Sequence, residues 1–333
     1  MIGHNETFSG KRILVTGAAG FIGSRLAERL IESGARVRAF TRYTSRPEIG
    51  NLVFLPPAIF KQIELVRGDL EDFSAVNAAV RDTDLIFHLG ALISIPYSYV
   101  HPVETVRTNV IGTLNILEAC RYHEVKLVHT STSEVYGSAQ RVPIDEDHPL
   151  QAQSPYSASK IGADKLVESY HCSYNLQSIT VRPFNTYGPA QSNRAVIPTI
   201  ITQALSSNQI HLGNLETRRD FTYLDDTIDG FLNAASRGKW DGSVYNLGTG
   251  AEITIGDVAQ KIFSYLQINP EVIIDQERLR PEKSEVIRLV SDNSRARHEI
   301  AWEPQVSLDE GLANTIKWIS DHLDHYQPGE YGR

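Results

Sequence analysis

Lys11-Arg12-Ile13-Leu14-Val15-Thr16-Gly17-Ala18-Ala19-Gly20-Phe21-Ile22-Gly23 decides how this chain folds. Its first six residues read as a buried parallel strand. Three glycines then follow in the spacing G-x-x-G-x-x-G. Each has a use: a sharp turn, close approach of backbone to a pyrophosphate, and tight helix–sheet packing. From Phe21 to Ser33 the apolar residues Phe21, Ile22, Leu26 and Leu30 keep helical spacing, and Gly34 stands where a cap belongs. The start of such a helix offers free N–H groups and a positive dipole end to phosphates. A strand before the glycines and a helix after them give the motif its meaning. Gly17, Gly20, Phe21 and Ile22 are therefore candidate cofactor contacts.

Working outward, strands are expected at Arg36–Thr41, Ile63–Arg67, Asp84–Leu89, Lys126–Ser131 and Ser178–Arg182. Helices are expected from near Val103 to Arg121 and over Tyr156–Tyr174. Arg42–Lys61, with Pro47, Pro56 and Pro57, reads as an irregular surface excursion. The alternation predicts an α/β fold: a Rossmann-like doubly wound parallel sheet with a smaller C-terminal α/β substrate lobe. The expected division is 11–183 for the dinucleotide domain and 184–326 for a lobe interleaved with it. Gln327–Arg333 reads as a frayed tail.

Composition narrows the function. The chain has 333 residues, 41% of them hydrophobic, and a net charge of -8. That balance argues against a general binder of nucleic acid or of a membrane surface. Cys120 and Cys172 stand far apart without metal spacing, which points to a reducing compartment, no disulfide framework and no metal site. No apolar run is long enough to span a bilayer, and Met1–Gly10 lacks a signal-peptide core, so a cytoplasmic location is expected.

The ends of the predicted strands supply the rest of a cofactor site. Asp69 and Leu70 follow the third strand, where a carboxylate can hydrogen-bond adenine. Leu89 and Ala91 flank Gly90 after the fourth, small enough for a cofactor to pass. After the second strand an NAD enzyme usually carries an acid for the ribose 2′-hydroxyl. This chain has Arg42-Tyr43-Thr44-Ser45 instead, which suits a 2′-phosphate and favours NADP over NAD.

Chemistry concentrates between Leu127 and Lys160. An apolar run ends in Thr130-Ser131-Thr132-Ser133-Glu134, and Tyr156 and Lys160 follow, one helical turn apart. A tyrosine near pKa ~10 is a poor base at neutral pH. A neighbouring ammonium and a cationic nicotinamide would favour the phenolate. The pair could then take a proton from a substrate hydroxyl, with Thr132 sharing it and Lys160 binding the nicotinamide ribose. Glu134 is surplus to alcohol oxidation, but removal of a carbon-bound proton needs such a group.

These residues together resemble the extended short-chain dehydrogenase/reductases, specifically the nucleotide-sugar epimerases and dehydratases. The likeness runs from Arg12 to about Trp318, through Gly17–Gly23, Ser131–Gly137, Tyr156–Lys160 and Arg182–Pro189. Ile93–Tyr99, Gln153–Asp164 and Arg278–Val286 look like the retaining UDP-N-acetylglucosamine-type 4,6-dehydratases. The resemblance implies substrate contacts at Ser94, Asn185, Val196, Arg219 and Arg280. The two arginines would meet phosphate oxygens. It also places Phe184 at the nicotinamide end of the cofactor. A homodimer through the helices around Asn109 and Tyr156 is implied as well. The implied reaction oxidises C4 of a UDP- or GDP-hexosamine, UDP being favoured, removes the C5 proton through Glu134, expels water from C6 and reduces C6, with a tightly bound, recycled NAD(P)+.

The chain departs from the family at one position. Many sugar 4,6-dehydratases carry an Asp-Glu pair, the Asp protonating the leaving hydroxyl, and here the first position is Ser133. Either Ser133 relays a proton through water or Glu134 serves both steps. UDP-glucuronate decarboxylases share a very similar Ser-Thr-Ser-Glu-Val-Tyr-Gly, and a 4-epimerase would use Tyr156 and Thr132 alone. A decarboxylase, a 4-epimerase and a catalytically silent NADP(H)-binding regulatory protein stay open as alternatives.

Overall fold

The computed structural model describes residues 4–43 and 49–327. Its centre is a seven-stranded sheet: β1 (Arg12–Thr16), β2 (Arg36–Thr41), β3 (Glu64–Arg67), β4 (Leu85–His88), β5 (Lys126–Thr130), β6 (Ser178–Pro183) and β7 (Val244–Leu247). The order across the sheet is β7-β6-β5-β4-β1-β2-β3 and every pairing is parallel. The chain reverses direction across the sheet between β1 and β4, the crevice where doubly wound folds bind ligands. The doubly wound α/β sheet expected from the sequence is present.

The two-residue side-chain period of a strand divides the core. Ile13 and Val15 of β1 point to one face, where they pack with Leu26 and Leu30 of helix α1 (Phe21–Glu32) and with Ile228 and Phe231. Leu14 points to the other, joining Ile86 and Leu127 beneath Ile116 and Leu117 of helix α2 (Gly112–His123) and Val167 of helix α3 (Pro155–Tyr174). A third cluster (Ile197, Ile201, Val258, Ile262, Leu312, Ile316) makes the core of the C-terminal lobe. That lobe also lends β7 to the main sheet, so the two parts of the chain share one scaffold.

Several expected elements differ in detail. The excursion after β2 is not wholly irregular: Gly50–Phe54 and Pro57–Phe60 each form one helical turn. Thr44, Ser45 and Pro47 lie outside the described residues, as does the expected tail beyond Gln327. Short helices at Phe73–Val80 and Ile95–Val100 escape the periodicity reading. The long helix runs from Pro102 to His123, but Arg107–Ile111 is a π-helical turn. The cause is Asn109, turned inward to accept from Leu92 N at 2.7 Å and to donate to Leu92 O and Ser159 Oγ, each at 2.9 Å. A widened turn lets a buried polar side chain reach its partners. No helix among the described residues is long and apolar enough to cross a membrane.

Candidate active site

The glycine turn is built for close approach. Gly17 has φ +68°, and a Cβ there would sit 2.8 Å from Gly90 N at the end of β4. A Cβ on Gly23 would lie 2.2 Å from Gly17 O, so the first turn of α1 rests directly on the loop. Gly20 caps α1 with no side-chain hydrogen bond, so no side chain occupies the first-turn amides, to which Phe21 and Ile22 belong. Leu89 and Ala91 are half-buried on either side of Gly90, while Leu70 is buried and packs against it.

At the far end of this crevice the structure pairs two candidates with each other. Arg42 Nε lies 3.5 Å from Asp69 Oδ2, and Arg42 Nη2 lies 3.5 Å from Glu104 Oε1. Arg42 is largely exposed, so neither contact is strong. A cavity of about 770 Å³ opens here between Arg42, Asp69, Glu104 and Arg107.

Strand β5 delivers the polar cluster. After Thr130 the backbone extends, and Thr132 Oγ1 accepts from Glu134 N at 3.2 Å, starting a single turn over Ser133–Tyr136. Ser133 is buried. Helix α3 opens with a capping box between Ser154 and Ser157, which fixes Tyr156 and Lys160 on its first two turns. Both side chains are buried.

Their electrostatics differ from the expectation. Burial pushes the Tyr156 phenol well up, a hydrogen bond with Thr132 opposes this, and the carboxylates of Glu134 and Asp164 add to the rise. Lys160 does not offset it. Its Nζ donates to Thr130 O at 2.7 Å, and burial lowers its pKa to about 8 against the pull of Asp164. Before any ligand binds, the site therefore holds a neutral phenol. A positive charge from elsewhere is needed to make it a base.

Sequence reasoning missed what stands behind this pair. Asp164 Oδ2 accepts from Ser131 Oγ at 2.8 Å and from Arg182 Nη2 at 2.9 Å, and Asp164 Oδ1 lies 3.2 Å from His129 Nε2. Arg182 Nη1 donates to Tyr136 OH at 2.9 Å, which donates to Asn246 Oδ1 at 2.7 Å. Burial raises the Asp164 carboxyl, but His129, Arg182 and Lys160 outweigh it and hold it at about 2. Burial, with Lys160 adding, drops His129 to about 4 although Asp164 opposes. The available signal was position: Asp164 follows Lys160 by one turn on the same helix face.

On the substrate side, Asn185, Val196, Arg219 and Arg280 line one cavity of about 270 Å³. Asn185 Oδ1 is buried there without a hydrogen-bond partner. Arg219 is buried, with Nη2 3.6 Å from Glu285 Oε1. Arg280 Nη1 lies 3.7 Å from Glu134 Oε1, which links the cavity to the Thr132–Tyr156 cluster. Ser94, the remaining expected substrate contact, is not among the residues that line it, and Phe184, expected at the cofactor, lies in the core beside the site. Ser94 Oγ accepts from Tyr97 N at 3.3 Å as the cap of Ile95–Val100. Phe184 is 1% exposed and packed with Val135, Tyr136 and Leu289.

The family model for GDP-mannose 4,6 dehydratase matches residues 14–315. The chain belongs to this family. It is 33% identical over 325 residues to a dTDP-glucose 4,6-dehydratase of Streptomyces antibioticus, covering 95% of this chain and 94% of that one. It is 33% identical to a UDP-glucose 4-epimerase of Mycolicibacterium smegmatis, covering 92% and 98%. Among solved structures it is similar to TunA, an NAD-dependent NDP-hexosamine 5,6-dehydratase of tunicamycin biosynthesis. That match has a TM-score of 0.83 and 30% identity, over 93% of this chain and 98% of TunA. The extended short-chain dehydrogenase/reductase likeness and the expectation of an enzyme are borne out. The family spans elimination and epimerisation, so membership leaves the finer chemistry to the site.

Proposed function

We propose that this chain is a nucleotide-sugar 4,6-dehydratase acting on a UDP-hexosamine such as UDP-N-acetylglucosamine, in the cytoplasm. The observation that carries the reading is Glu134. Its carboxylate follows Thr132 by two residues, acts electrostatically on the Tyr156 phenol, and lies 3.7 Å from Arg280 of the arginine-lined cavity. A 4-epimerase has no task for an acid in that place. The hexosamine is supported by the likeness to TunA and by the sequence motifs, and uridine by the motifs. In the division of labour, 11–183 holds the cofactor and 184–326 mainly holds the nucleotide sugar.

The glycine turn fits a dinucleotide, because three backbone segments meet where any Cβ would collide. Gly17, Gly20, Phe21 and Ile22 would hold its pyrophosphate. Asp69 and Leu70 would meet the adenine. Leu89, Ala91, Tyr156 and Lys160 would line the nicotinamide half, with Phe184 behind it. When bound, NAD(P)+ supplies the oxidation of C4 and the later reduction at C6, and its positive ring favours the Tyr156 phenolate. Tyr156, with Thr132, takes the proton of the 4-hydroxyl, and Lys160 orients the ribose. The 4-ketone acidifies the C5 hydrogen. Glu134 takes that proton, the electron pair forms the C5–C6 double bond, and the C6–O bond breaks. The departing hydroxyl leaves as water, protonated by Glu134 or through Ser133. Asn185, Arg219 and Arg280 hold the diphosphate and Val196 the base, while Ser94 acts through the helix it caps.

The reading of NADP over NAD rests on Arg42 and on a β2 that ends without an acid of its own, and it requires a 2′-phosphate to draw Arg42 away from Asp69 and Glu104, which line the same outer cavity with Glu71 and Asp72. Arg42→Ala is then expected to weaken NADP binding about tenfold more than NAD binding, on the scale of a lost arginine–phosphate pair. Equal losses would remove the preference. A homodimer is supported by Val103, Val106 and Ile111, exposed along the helical segment that contains Asn109.

Incubation with a panel of nucleotide sugars in heavy water, read by mass spectrometry, tests the assignment. Loss of water with deuterium at C5 is expected. Loss of carbon dioxide would make the enzyme a decarboxylase, and unchanged mass with altered sugar stereochemistry an epimerase. Tight cofactor binding with no turnover on any sugar would leave a silent binding protein.

A further inference from the structure

Glu134 and Arg280 face each other at the wall of the substrate cavity, Oε1 to Nη1 3.7 Å. The contact is one of charge without a hydrogen bond, and Arg280 Nη1 is otherwise buried with no hydrogen-bond partner. Arg219 feels the same carboxylate and is itself paired with Glu285 at 3.6 Å. Each of these two arginines thus already faces a carboxylate, while Arg194 and Arg278 also line the cavity. Arg280 is fixed from both flanks. Behind it, Arg278 Nε donates to Asp275 Oδ2 at 3.1 Å; ahead of it, Ser284 Oγ bonds Tyr99 OH and Gln153 O.

A diphosphate placed in this cavity brings negative charge and acceptor oxygens that suit a guanidinium fork. It must compete with Glu134 for Arg280. We propose that the Glu134–Arg280 ion pair is an interlock, in which the empty site holds the acid on the arginine and the substrate's diphosphate releases it toward the sugar. This rests on the reading of Glu134 as the base for the C5 proton and Arg280 as a diphosphate contact. The two events are linked because the diphosphate and the Glu134 carboxylate draw on one guanidinium charge, so binding of the first weakens the hold on the second. A sugar that lacks the diphosphate would leave Glu134 engaged, so the interlock selects nucleoside-diphosphate sugars by chemistry as well as by affinity.

The test is a double-mutant cycle on the cofactor-loaded enzyme, with UDP as the probe and calorimetry as the readout. Glu134→Gln removes the competitor and is expected to tighten UDP about fivefold, the scale of a partly exposed ion pair. Removing any nearby negative charge also favours an anion, so the cycle must be closed. In an Arg280→Met background the same Glu134→Gln change is expected to alter UDP affinity by less than about twofold. If Arg280→Met does not fold, Arg280→Gln takes its place. Unchanged or weaker UDP binding by Glu134→Gln would overturn the interlock, and so would an equal gain without Arg280. The product assay on the wild-type enzyme separates the two readings. Dehydration without the coupling removes the interlock alone, and coupling without dehydration removes the assigned reaction alone.

Discussion

The cofactor half and the substrate half of this site are built from different materials. The cofactor half is backbone and buried hydrogen bonds: Gly17 against Gly90, Gly23 against Gly17, Lys160 on Thr130 O, Asp164 holding Ser131, His129 and Arg182. The substrate half is charged side chains around a cavity, paired at 3.6 and 3.7 Å without tight hydrogen bonds. A packed, fully bonded region has one arrangement, and deforming it is costly. Ion pairs held at 3.6 and 3.7 Å without a hydrogen bond have no fixed geometry and can be exchanged for a better acceptor. The difference suits the proposed roles, in which a cofactor stays bound and a substrate comes and goes.

Substitutions in the two halves should therefore fail in different ways. The largest effect is expected from Tyr156→Phe, which removes the group proposed to take the proton of the 4-hydroxyl. Turnover should fall about 10³-fold or more, the scale of a lost general base, with the melting temperature nearly unchanged. A variant that keeps activity would move the first proton transfer to another group.

Next in size is Asp164→Asn, which leaves Arg182 buried beside a neutral partner. A loss of about 3–5 kcal/mol is expected, because an uncompensated buried charge is left behind. The pH dependence has a definite sign. The folded-state pKa of Asp164, about 2, is depressed below the unfolded value. Its stabilisation is thus full above the unfolded pKa of ~3.9 and is lost as pH falls toward the folded value. Wild-type melting temperature should drop between pH ~5 and ~2 more steeply than that of Asp164→Asn. Equal slopes would mean that Asp164 is not ionised in the fold.

Smaller again is Gly23→Ala. Its Cβ meets backbone, Gly17 O at 2.2 Å, so the loop and α1 must separate. A cost of about 1–3 kcal/mol is expected, with cofactor affinity falling while UDP affinity holds. If UDP binding fell equally, the two halves would not be independent.

Legibility in the sequence follows the same division. The glycine turn, the alternation that gives a doubly wound parallel sheet and the spacing of Tyr156 and Lys160 are local patterns, and each appears in the fold. Partnerships between distant residues are not local. Nothing in the sequence says that Lys160 bonds Thr130 O, that Arg42 rests between Asp69 and Glu104, or that Arg280 meets Glu134. Nor does the spacing of Tyr156 and Lys160 show that, in the site without cofactor, burial raises the phenol while Lys160 is held by Thr130 O. The π-helical turn at Arg107–Ile111 is likewise dictated by what Asn109 reaches in space, not by helix propensity.

The central claim is that Glu134 turns a C4 oxidation into an elimination. One measurement addresses it: a single turnover of Glu134→Gln in heavy water on the intact nucleotide sugar that the wild-type enzyme dehydrates, following cofactor absorbance and product mass together. The account predicts that the cofactor becomes reduced and remains so, with no water lost and no deuterium at C5. Dehydrated product formed by Glu134→Gln at the wild-type rate would contradict it.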